Sequence, residues 1–443
     1  MKVLVANRGE IAVRVMRACR ELGFKSVAIY SEADQEALHA RYADESVFIG
    51  PAEAKESYLN IEKIVQVAVD KQVDAIHPGY GFLSENETFA KKVEEAGINF
   101  IGPRPDTIAL TGDKLAARKY AREAGLQVLA GPDLPVDKKS IDPEKLLTDV
   151  EVEYPLMVKA ISGGGGRGIR IAHNRDELFN MIRDARQEAQ ASFGNDGIYL
   201  EPFVNKARHI EVQIVGDGKG KVVVLGEREC SIQRRRQKLI EEAPAPGLSD
   251  QQRNEVHDYA RLLGEKLNYR SLGTVEFLRD QEGQYYFIEV NPRIQVEHPV
   301  TELVVGMDLV RMQLRLAAED QLRINQKDVF VRGAAIEARI LAEDAAYSFL
   351  PATGKIRYVK EPDGPGVRVD SALYLGMDVT MHYDSLLAKV IVWGEDREIA
   401  VQRLRRALEE FHISGVPTDI EFLSSIIEQE NFIHGDVDTT FLD

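Results

Sequence analysis

The sequence predicts a protein of mixed class, with an α/β region followed by α+β regions. Over roughly the first quarter of the chain, short apolar runs alternate with stretches of helical periodicity, which is typical of βαβ units around a parallel sheet. Between residues 199 and 300, apolar runs follow one another with short turn-forming pieces between them. That pattern indicates an antiparallel sheet with few helices. After a helical segment at 308–318, a third region mixes strands with a helix at 397–410.

The amino-terminal region supplies its elements in a regular order. The predicted strands are KVLVA, SVAIY, ESVFI, DAIHP and INFIG, and the predicted helices are Ile11–Arg20 and Ile61–Asp70. The first strand-to-helix turn reads ANRGEIA and lacks the G-x-G-x-x-G pattern. A dinucleotide site of the nicotinamide or flavin type therefore loses its main support.

The remaining elements follow a connector near 130–145 that contains Pro132, Pro135 and Pro143. The strand YPLMVKA comes next and leads into a run of glycines. The antiparallel region is predicted from IYLEPFV, HIEVQIV, KVVVLGE, GTVEFLR and QYYFIEV. The third region is predicted from AAIEARI, KIRYV, VRVD and LLAKVIVW.

Composition limits the classes of function. With 443 residues, 44% of them hydrophobic, the chain is long enough for about three domains. The net charge of -16 argues against a general nucleic-acid binder. The two cysteines suit a reducing compartment, and the start MKVLVANRGE resembles neither a signal peptide nor a membrane span. We therefore expect a soluble cytoplasmic protein with neither a nucleic-acid nor a membrane partner.

A glycine run at 159–168, KAISGGGGRG, follows a strand that ends in a lysine. Glycine loops let backbone N–H groups approach phosphate oxygens, and a lysine adds a positive charge. The segment is not a P-loop, because the lysine precedes the glycines. Phosphate binding and a flexible linker are both compatible with the run alone.

The hairpin TVEFLRDQEGQYYFIEVN gives a stronger signal. If Asp280 pairs with Tyr285, Glu276 lies directly opposite Glu289. Facing like charges are destabilising unless a positive group lies between them, and with the Asn291 carbonyl these carboxylates form a hard-oxygen set suited to Mg²⁺ or Mn²⁺. The alternative is a solvated strand face with a slipped register.

Polar residues continue in alternation along FIEVNPRIQVEH, from Glu289 to Glu297. A single strand with period 2 would place them on one face of the cleft. Arg293 would then grip a small planar anion with two parallel hydrogen bonds, and Glu297 would act as a base. The alternative is a structural ion pair between Arg293 and Glu297.

A basic run, Arg234 to Lys238, stands out in an acidic protein and predicts an anion site. Nearby Cys230 has no identifiable histidine partner, so a structural thiol is preferred to a nucleophile. A lone histidine such as His209 is more often structural than catalytic.

In this order, the motifs KAISGGGGRG, RHIEVQ, ERECSIQRRRQK, EEAPAP, GTVEFL and EVNPRIQVEHPVTE closely resemble the biotin carboxylases, a family of ATP-grasp enzymes. The segments ANRGEIA and HPGYGFLSEN resemble the amino-terminal domain of that family. The resemblance covers essentially the whole chain and is specific because the motifs occur together in sequence.

The resemblance implies an ATP-grasp fold and three domains. These would be a doubly wound, Rossmann-like domain at 1–112, the ATP-grasp domain at 113–318 with a glycine-rich lid at about 131–203, and a mixed carboxy-terminal domain at 330–443. It also implies a reaction in which ATP and bicarbonate give carboxyphosphate, whose carboxyl group passes to N1 of biotin.

The resemblance further implies a role for each matching residue. The metal ligands would be Glu276, Glu289 and Asn291. ATP would contact Lys114, Lys159, Gly165, Gly166, Glu201, Val204, His209, Gln233, Arg236, Glu276 and Glu289. Bicarbonate would contact Lys238, Arg293, Gln295 and Val296, with Glu297 as its base. Biotin would lie against Tyr80 and Gly81, and Arg339 would stabilise its enolate.

Two positions depart from some relatives. Arg236 stands where some have histidine, so its nucleotide contact stays open. Pro292 stands where some have threonine, and since its ring would point away from Asn291 and Arg293, the site should survive. The missing N–H of Pro292 fits an edge strand or an irregular section.

The family's biotin-attachment tetrapeptide, a lysine between two methionines, does not occur in the sequence. The biotin carrier protein and the carboxyltransferase are therefore expected on separate chains, and the resemblance implies a homodimer. The identity of the carboxylase (acetyl-CoA, propionyl-CoA or pyruvate) stays open. Two alternatives are another ATP-grasp carboxylate ligase and a non-catalytic nucleotide-binding subunit.

Overall fold

A computed structural model describes residues 1–129, 154–161, 169–193 and 196–442. The helices are α1 Gly9–Glu21, α2 Leu38–Tyr42, α3 Ile61–Asp70, α4 Glu87–Glu95, α5 Pro105–Gly112, α6 Lys114–Glu123, α7 Arg175–Phe193, α8 Asp250–Lys266, α9 His298–Val305, α10 Leu309–Glu319, α11 Arg397–Glu410, α12 Ile420–Ile427 and α13 Glu430–His434. The strands up to residue 243 are β1 Lys2–Val5, β2 Lys25–Ser31, β3 Glu45–Gly50, β4 Ala75–His77, β5 Asn99–Phe100, β6 Leu156–Ala160, β7 Arg170–Ala172, β8 Ile198–Pro202, β9 Arg208–Asp217, β10 Val222–Arg234 and β11 Gln237–Ala243. The later strands are β12 Arg270–Arg279, β13 Tyr285–Asn291, β14 Ala334–Leu341, β15 Glu343–Asp344, β16 Leu350–Pro351, β17 Gly354–Lys355, β18 Tyr358–Lys360, β19 Val367–Ser371, β20 Asp378–Val379, β21 Leu386–Gly394 and β22 His412–Ser414.

The amino-terminal strands form a parallel sheet in the order β3-β2-β1-β4-β5, as predicted from the alternation of strands and helices. Its central strands β1 and β4 are largely buried, as expected where both faces of a parallel sheet are covered. Just beyond β1, Asn7 donates hydrogen bonds of 2.7 Å to the carbonyls of Pro78 and Tyr80. The end of β1 thereby fixes the loop after β4, which carries Tyr80 and Gly81.

An eight-stranded antiparallel sheet runs in the order β13-β12-β9-β10-β11-β14-β21-β19. It contains every strand predicted between 209 and 290, and also three strands from the predicted third region. Strands on both sides of the predicted boundary at 318–330 therefore share one sheet. Strand β11 was not predicted, since its charged residues concealed an apolar pattern. On this sheet, Val300 and Val304 of α9 pack with Ala335 and Ile391.

A small sheet, β7-β6-β8, is covered by α7. Its core joins Leu156 and Val158 of β6 to Leu178 and Ile182 of α7. The glycine pair Gly165 and Gly166 lies outside the described residues, as do the connector prolines and much of the predicted lid. Across the described residues, no helix combines the length and apolar character needed to span a membrane.

A buried carboxyl group, Asp419, precedes α12. Its Oδ1 accepts a 2.8 Å hydrogen bond from the Leu341 N–H, while Oδ2 has no hydrogen-bond partner among the described residues. Burial raises the pKa of Asp419 to about 7. Between about pH 4 and pH 7 the unfolded chain releases this proton and the folded chain keeps it, so stability falls as pH rises.

We expect Asp419→Asn to stabilise the protein at about pH 8, where the carboxylate penalty is complete. The gain would be at most ~4 kcal/mol, because one pKa unit corresponds to about 1.4 kcal/mol. The amide oxygen can still accept from Leu341. Thermal unfolding midpoints at about pH 5 and about pH 8 test this, since the advantage of the variant should grow with pH. An advantage that does not change with pH would contradict the prediction.

Candidate active site

Three glutamates lie side by side across neighbouring strands of the large sheet. Glu276 of β12 is directly opposite Glu289 of β13 on one side and Glu211 of β9 on the other. The predicted facing of Glu276 and Glu289 is thus confirmed. The turn that was assumed to produce it is wrong, because Tyr285 pairs with Arg279, and an irregularity after Glu276 restores the alignment.

Positively charged and hydrogen-bonding side chains compensate this row of carboxylates. The Lys238 Nζ of β11 lies 2.5 Å from Glu211 and 3.1 Å from Glu276. His209 Nε2 lies 2.7 Å from the other Glu276 oxygen, and Lys114 Nζ lies 3.7 Å from Glu289. Burial alone would raise the pKa of Glu276, but Lys238 and His209 hold it well below its ordinary value. Glu276 is therefore a carboxylate at neutral pH.

The oxygen atoms around Glu276 fit a hard divalent cation. Glu276 and Glu289 offer facing carboxylates, and Asn291, on the same face, offers an amide oxygen. The Asn291 amide nitrogen donates to Glu276 at 2.7 Å, and its oxygen accepts from Arg293 at 3.0 Å. Ligand atoms of His209, Glu211 and Glu276 also lie within 4.8 Å of one another. The donor set thus matches the chemistry of Mg²⁺ or Mn²⁺.

The predicted continuous strand to Glu297 is wrong beyond Asn291. Strand β13 ends there, at the edge of the sheet, because Pro292 has no N–H to continue the ladder. The chain then turns irregularly, and Glu297 precedes α9 with φ -80 and ψ 8. Arg293 donates to Glu85 at 2.5 Å instead of forming the alternative ion pair with Glu297. The polar side chains reach the cleft through a turn rather than along one strand.

Glu297 lies between two cations and is 2% exposed. Its oxygens lie 2.6 Å from Lys238 Nζ and 3.0 Å from Arg339 Nη2. Burial alone would raise its pKa, but Lys238, Arg339 and Arg228 hold the pKa well below its ordinary value. Arg339, on β14, is itself oriented by Glu241, which accepts from Nε at 2.6 Å. Glu297 is consequently ionised and can accept a proton.

Arg228 organises the floor of the site. Its side chain is completely buried and ion-paired with Glu211. It donates to Gln295 at 2.6 Å, and Gln295 in turn donates to Glu276 at 2.8 Å. A further bond of 2.9 Å reaches Thr301 of α9. Gln295 is therefore fixed between the sheet and the helix that follows it.

A second polar group at the small sheet joins two predicted residues, Lys159 and Glu201, to Arg118, which was not predicted. Lys159 of β6 and Arg118 of α6 both contact the Glu201 carboxylate of β8. Burial would raise the pKa of Glu201, but Lys159 and Arg118 lower it. Val204 lies two residues beyond Pro202, the end of β8, on the side where β6 begins, whereas Lys159 lies toward the other end of β6.

The basic run divides between two surroundings. Arg234 pairs with Glu343 and stacks over Phe349 with 4.0 Å to the ring centre, whereas Lys238 reaches the glutamate row. Arg236 lies in the turn between β10 and β11. Strands β10 and β11 thus direct Arg234 and Lys238 to different partners, and the predicted anion site at the run stays a prediction. Gln233, just before the run, donates to His209 Nδ1 at 2.7 Å.

The loop after β4 carries Tyr80 and Gly81, the two residues predicted to contact biotin. The Tyr80 hydroxyl contacts Glu10 of α1, and Gly81 has a positive φ of 70° that favours glycine. Tyr80 is close enough to Arg339 for the two to influence each other electrostatically. The charge of Arg339 on the large sheet therefore acts on the loop from the amino-terminal sheet.

Family models match the chain in three consecutive segments. Residues 1–108 match the biotin carboxylase N-terminal domain, 113–325 the ATP-binding domain of the carbamoyl-phosphate synthase L chain, and 337–443 the biotin carboxylase C-terminal domain. A biotin carboxylase of Nostoc sp. is 48% identical over 441 residues, covering 100% of this chain and 98% of the relative. The chain belongs to the biotin carboxylase family.

Two further relatives of the chain are parts of larger carboxylases. A pyruvate carboxylase component of Methanothermobacter thermautotrophicus is 47% identical, with 100% of this chain and 89% of the relative covered. The biotin carboxylase domain dimer of the Hydrogenobacter thermophilus 2-oxoglutarate carboxylase, in complex with MgADP, ADP and bicarbonate, superposes with a TM-score of 0.96 at 46% identity. That match covers 100% of this chain and 96% of the other. These similarities confirm the predicted family and its ATP-grasp fold.

Sequence reasoning missed several residues of this biotin carboxylase site: the exposed Glu85 and the buried Arg118, Glu211, Arg228 and Glu241. A signal for Glu211 was present, since RHIEVQ alternates and Glu211 shares a face with His209 and Gln213. No local sequence pattern predicts that Arg228 orders Gln295 or that Glu241 orients Arg339, because these partners come from distant segments. Cys230 is fully buried and burial raises its pKa well above the ordinary value, which agrees with the preferred structural thiol.

Proposed function

We propose that the protein carboxylates biotin with bicarbonate at the expense of ATP, through carboxyphosphate, as the first half-reaction of a multi-subunit carboxylase. The observation that carries this proposal is the position of Glu297 between Lys238 and Arg339, beside the glutamate row. A carboxylate held between two cations suits a site where a proton acceptor and two anion-binding groups act on neighbouring substrates.

ATP would bind at the junction of the small and large sheets. Glu276, Glu289 and Asn291 would hold Mg²⁺ or Mn²⁺, which neutralises phosphate charge when bound. Lys114 and Lys159 would bind the phosphate oxygens, and Gly165 and Gly166 stay predicted ATP contacts. Glu201 and Val204 would contact the adenine, and His209, Gln233 and Arg236 would make the remaining nucleotide contacts.

Bicarbonate would be held by Arg293, Lys238, Gln295 and the Val296 backbone. Glu297 removes its proton, and the freed oxygen attacks the terminal phosphorus of ATP. The bond to ADP breaks and carboxyphosphate forms. Without substrate, Lys238 stabilises the negative charge of Glu297. Bound bicarbonate would also interact with Lys238 and would therefore weaken that stabilisation. The pKa of Glu297 therefore rises as bicarbonate binds, and Glu297 becomes a better base when its substrate is present.

In the second step the carboxyl group passes from carboxyphosphate to N1 of biotin, and the phosphate that leaves takes up the N1 proton. Arg339 stabilises the negative charge that develops on the biotin ureido oxygen. Tyr80 and Gly81 lie beside the biotin ring. Both reactive species are anionic, so the cations Arg293, Lys238 and Arg339 around one cleft lower both barriers.

The substrate biotin would be attached to a carrier protein on a separate chain, and a carboxyltransferase on another chain would use the product. We further propose a homodimer in the cytoplasm, with the three domains at 1–112, 113–318 and 330–443. The biotin carboxylase domain of the Hydrogenobacter thermophilus relative is a dimer, which supports the homodimer. Two buried free cysteines fit a reducing compartment such as the cytoplasm.

ATP cleavage assayed with bicarbonate and biotin, and with each omitted in turn, tests the proposed function. We expect ADP release to require bicarbonate and to rise with biotin, with labelled carboxyl groups transferred from bicarbonate to biotin. ADP release that ignores both compounds would indicate another ATP-grasp carboxylate ligase. Tight ATP binding without turnover would indicate a non-catalytic nucleotide-binding subunit.

A further inference from the structure

Lys389 is a completely buried lysine on β21, outside the set of predicted site residues. It lies directly opposite Arg339 on β14 and opposite Asp370 on β19. A buried lysine is costly unless it is paired, and a like charge on the neighbouring strand adds repulsion. The contacts of Lys389 must compensate for both costs.

Three groups surround the Lys389 ammonium. It donates to the Val296 carbonyl at 2.7 Å, and lies 3.2 Å from a Glu10 oxygen and 3.7 Å from Asp370. Burial alone would lower the pKa of Lys389, but Glu10, Glu337 and Asp370 raise it above its ordinary value. Lys389 is therefore charged, and its shortest bond goes to a neutral carbonyl in the turn before Glu297.

Charge compensation of Asp370 does not account for Lys389. Arg368 already binds both Asp370 oxygens, at 2.9 and 2.7 Å. The two nearer contacts of Lys389 are Glu10 and Val296. Glu10 also accepts the hydroxyl of Tyr80. A continuous chain of contacts thus runs from Tyr80 through Glu10 and Lys389 to Val296, and links the loop after β4 with the turn after β13.

We propose that Lys389 is a positioning residue that fixes the bicarbonate side of the site relative to the biotin side. It holds the bicarbonate side through the Val296 carbonyl and the biotin side through Glu10 and Tyr80. The inference rests on the proposed function, since it takes Val296 and Tyr80 as substrate contacts. Lys389 touches neither substrate. It orients the groups that do.

Lys389→Met tests this role, because methionine fills a similar volume without the charge or the donor. We expect the KM for bicarbonate and the KM for biotin each to rise about tenfold, as for the loss of a charge-assisted hydrogen bond. The KM for ATP should stay close to that of the unchanged protein. A matched control is Lys221→Met, which removes a lysine that donates to the Leu322 carbonyl at 3.2 Å. Its KM values for bicarbonate, biotin and ATP should equal those of the protein without substitutions.

A double-mutant cycle with Tyr80→Phe separates positioning from general destabilisation. If the chain through Glu10 links the residues, the two substitutions together raise the biotin KM by less than the product of their single effects. Effects that multiply, or a KM for ATP that rises in parallel with the others, would overturn the proposal. Should Lys389→Met fail to fold, Glu10→Gln decides: a raised biotin KM supports the link, and an unchanged one refutes it.

The activity of the protein without substitutions distinguishes a failure of the positioning role from a failure of the proposed function. Bicarbonate- and biotin-dependent ADP release by the unchanged protein establishes the function independently of any variant. If that activity is present and Lys389→Met behaves like the unchanged protein, the positioning role alone is wrong. If the unchanged protein ignores both substrates, the proposed function itself fails, and with it the roles assumed for Val296 and Tyr80.

Discussion

Glu297→Gln is expected to lower bicarbonate-dependent ADP release by about 100- to 10,000-fold, the usual contribution of a general base. Glutamine keeps the size of the side chain but cannot take a proton at neutral pH. ATP binding should persist, because Glu297 contacts Lys238 and Arg339 rather than the small sheet. Steady-state ADP release and equilibrium binding of ATP, measured on the same preparation, check the two halves of this prediction.

Glu227→Gln is a suitable control for that experiment. Glu227 is a buried glutamate whose oxygens bind Arg253 and His257, away from the glutamate row. It matches the loss of one buried negative charge without removing the proposed base, so its turnover should stay near that of the unchanged protein. Near-normal turnover of Glu297→Gln would rule out Glu297 as the base.

Glu289→Lys is expected to abolish divalent-cation-dependent turnover. The substitution replaces a proposed ligand by a cation and sets it beside Lys114, whose Nζ now lies 3.7 Å from Glu289. Repulsion of both the metal and the phosphates follows from Coulomb's law at such distances. ADP release measured over a series of Mg²⁺ and Mn²⁺ concentrations checks this, and high metal concentrations should not restore the activity.

Glu282→Lys makes the same charge change in the exposed turn of the same hairpin. It should leave turnover and its metal dependence unchanged, which separates a local effect at the row from a change in net charge. Activity of Glu289→Lys equal to that of the control would show that the facing glutamates do not form the metal site.

Much of the fold could be predicted because its signals are local. Alternating strands and helices at the amino terminus identified the parallel sheet, and the hairpin identified the facing pair Glu276 and Glu289. The pair was found even though the assumed turn was off by one residue. The reason is that a bulge shifts the register within the hairpin, and sequence alone does not reveal where a bulge lies.

The remainder of the site depends on contacts between distant segments. Glu211 joins the row because β9 lies between β10 and β12, an order that no local pattern encodes. The polar alternation from Glu289 to Glu297 suggested a strand, yet Pro292 ends the ladder and a turn delivers Glu297. The same polar residues therefore reach the same cleft by a different backbone path.

The shared eight-stranded sheet limits how the molecule can be divided. Family models split the chain between 325 and 337, but strands β14, β21 and β19 complete a sheet that begins on the other side of that gap. A fragment ending there would leave β11, with Lys238, as an exposed edge whose N–H and C=O groups invite aggregation. Expression of either piece alone, or exchange of the last segment with a distant relative, would disturb the catalytic centre as well as the fold.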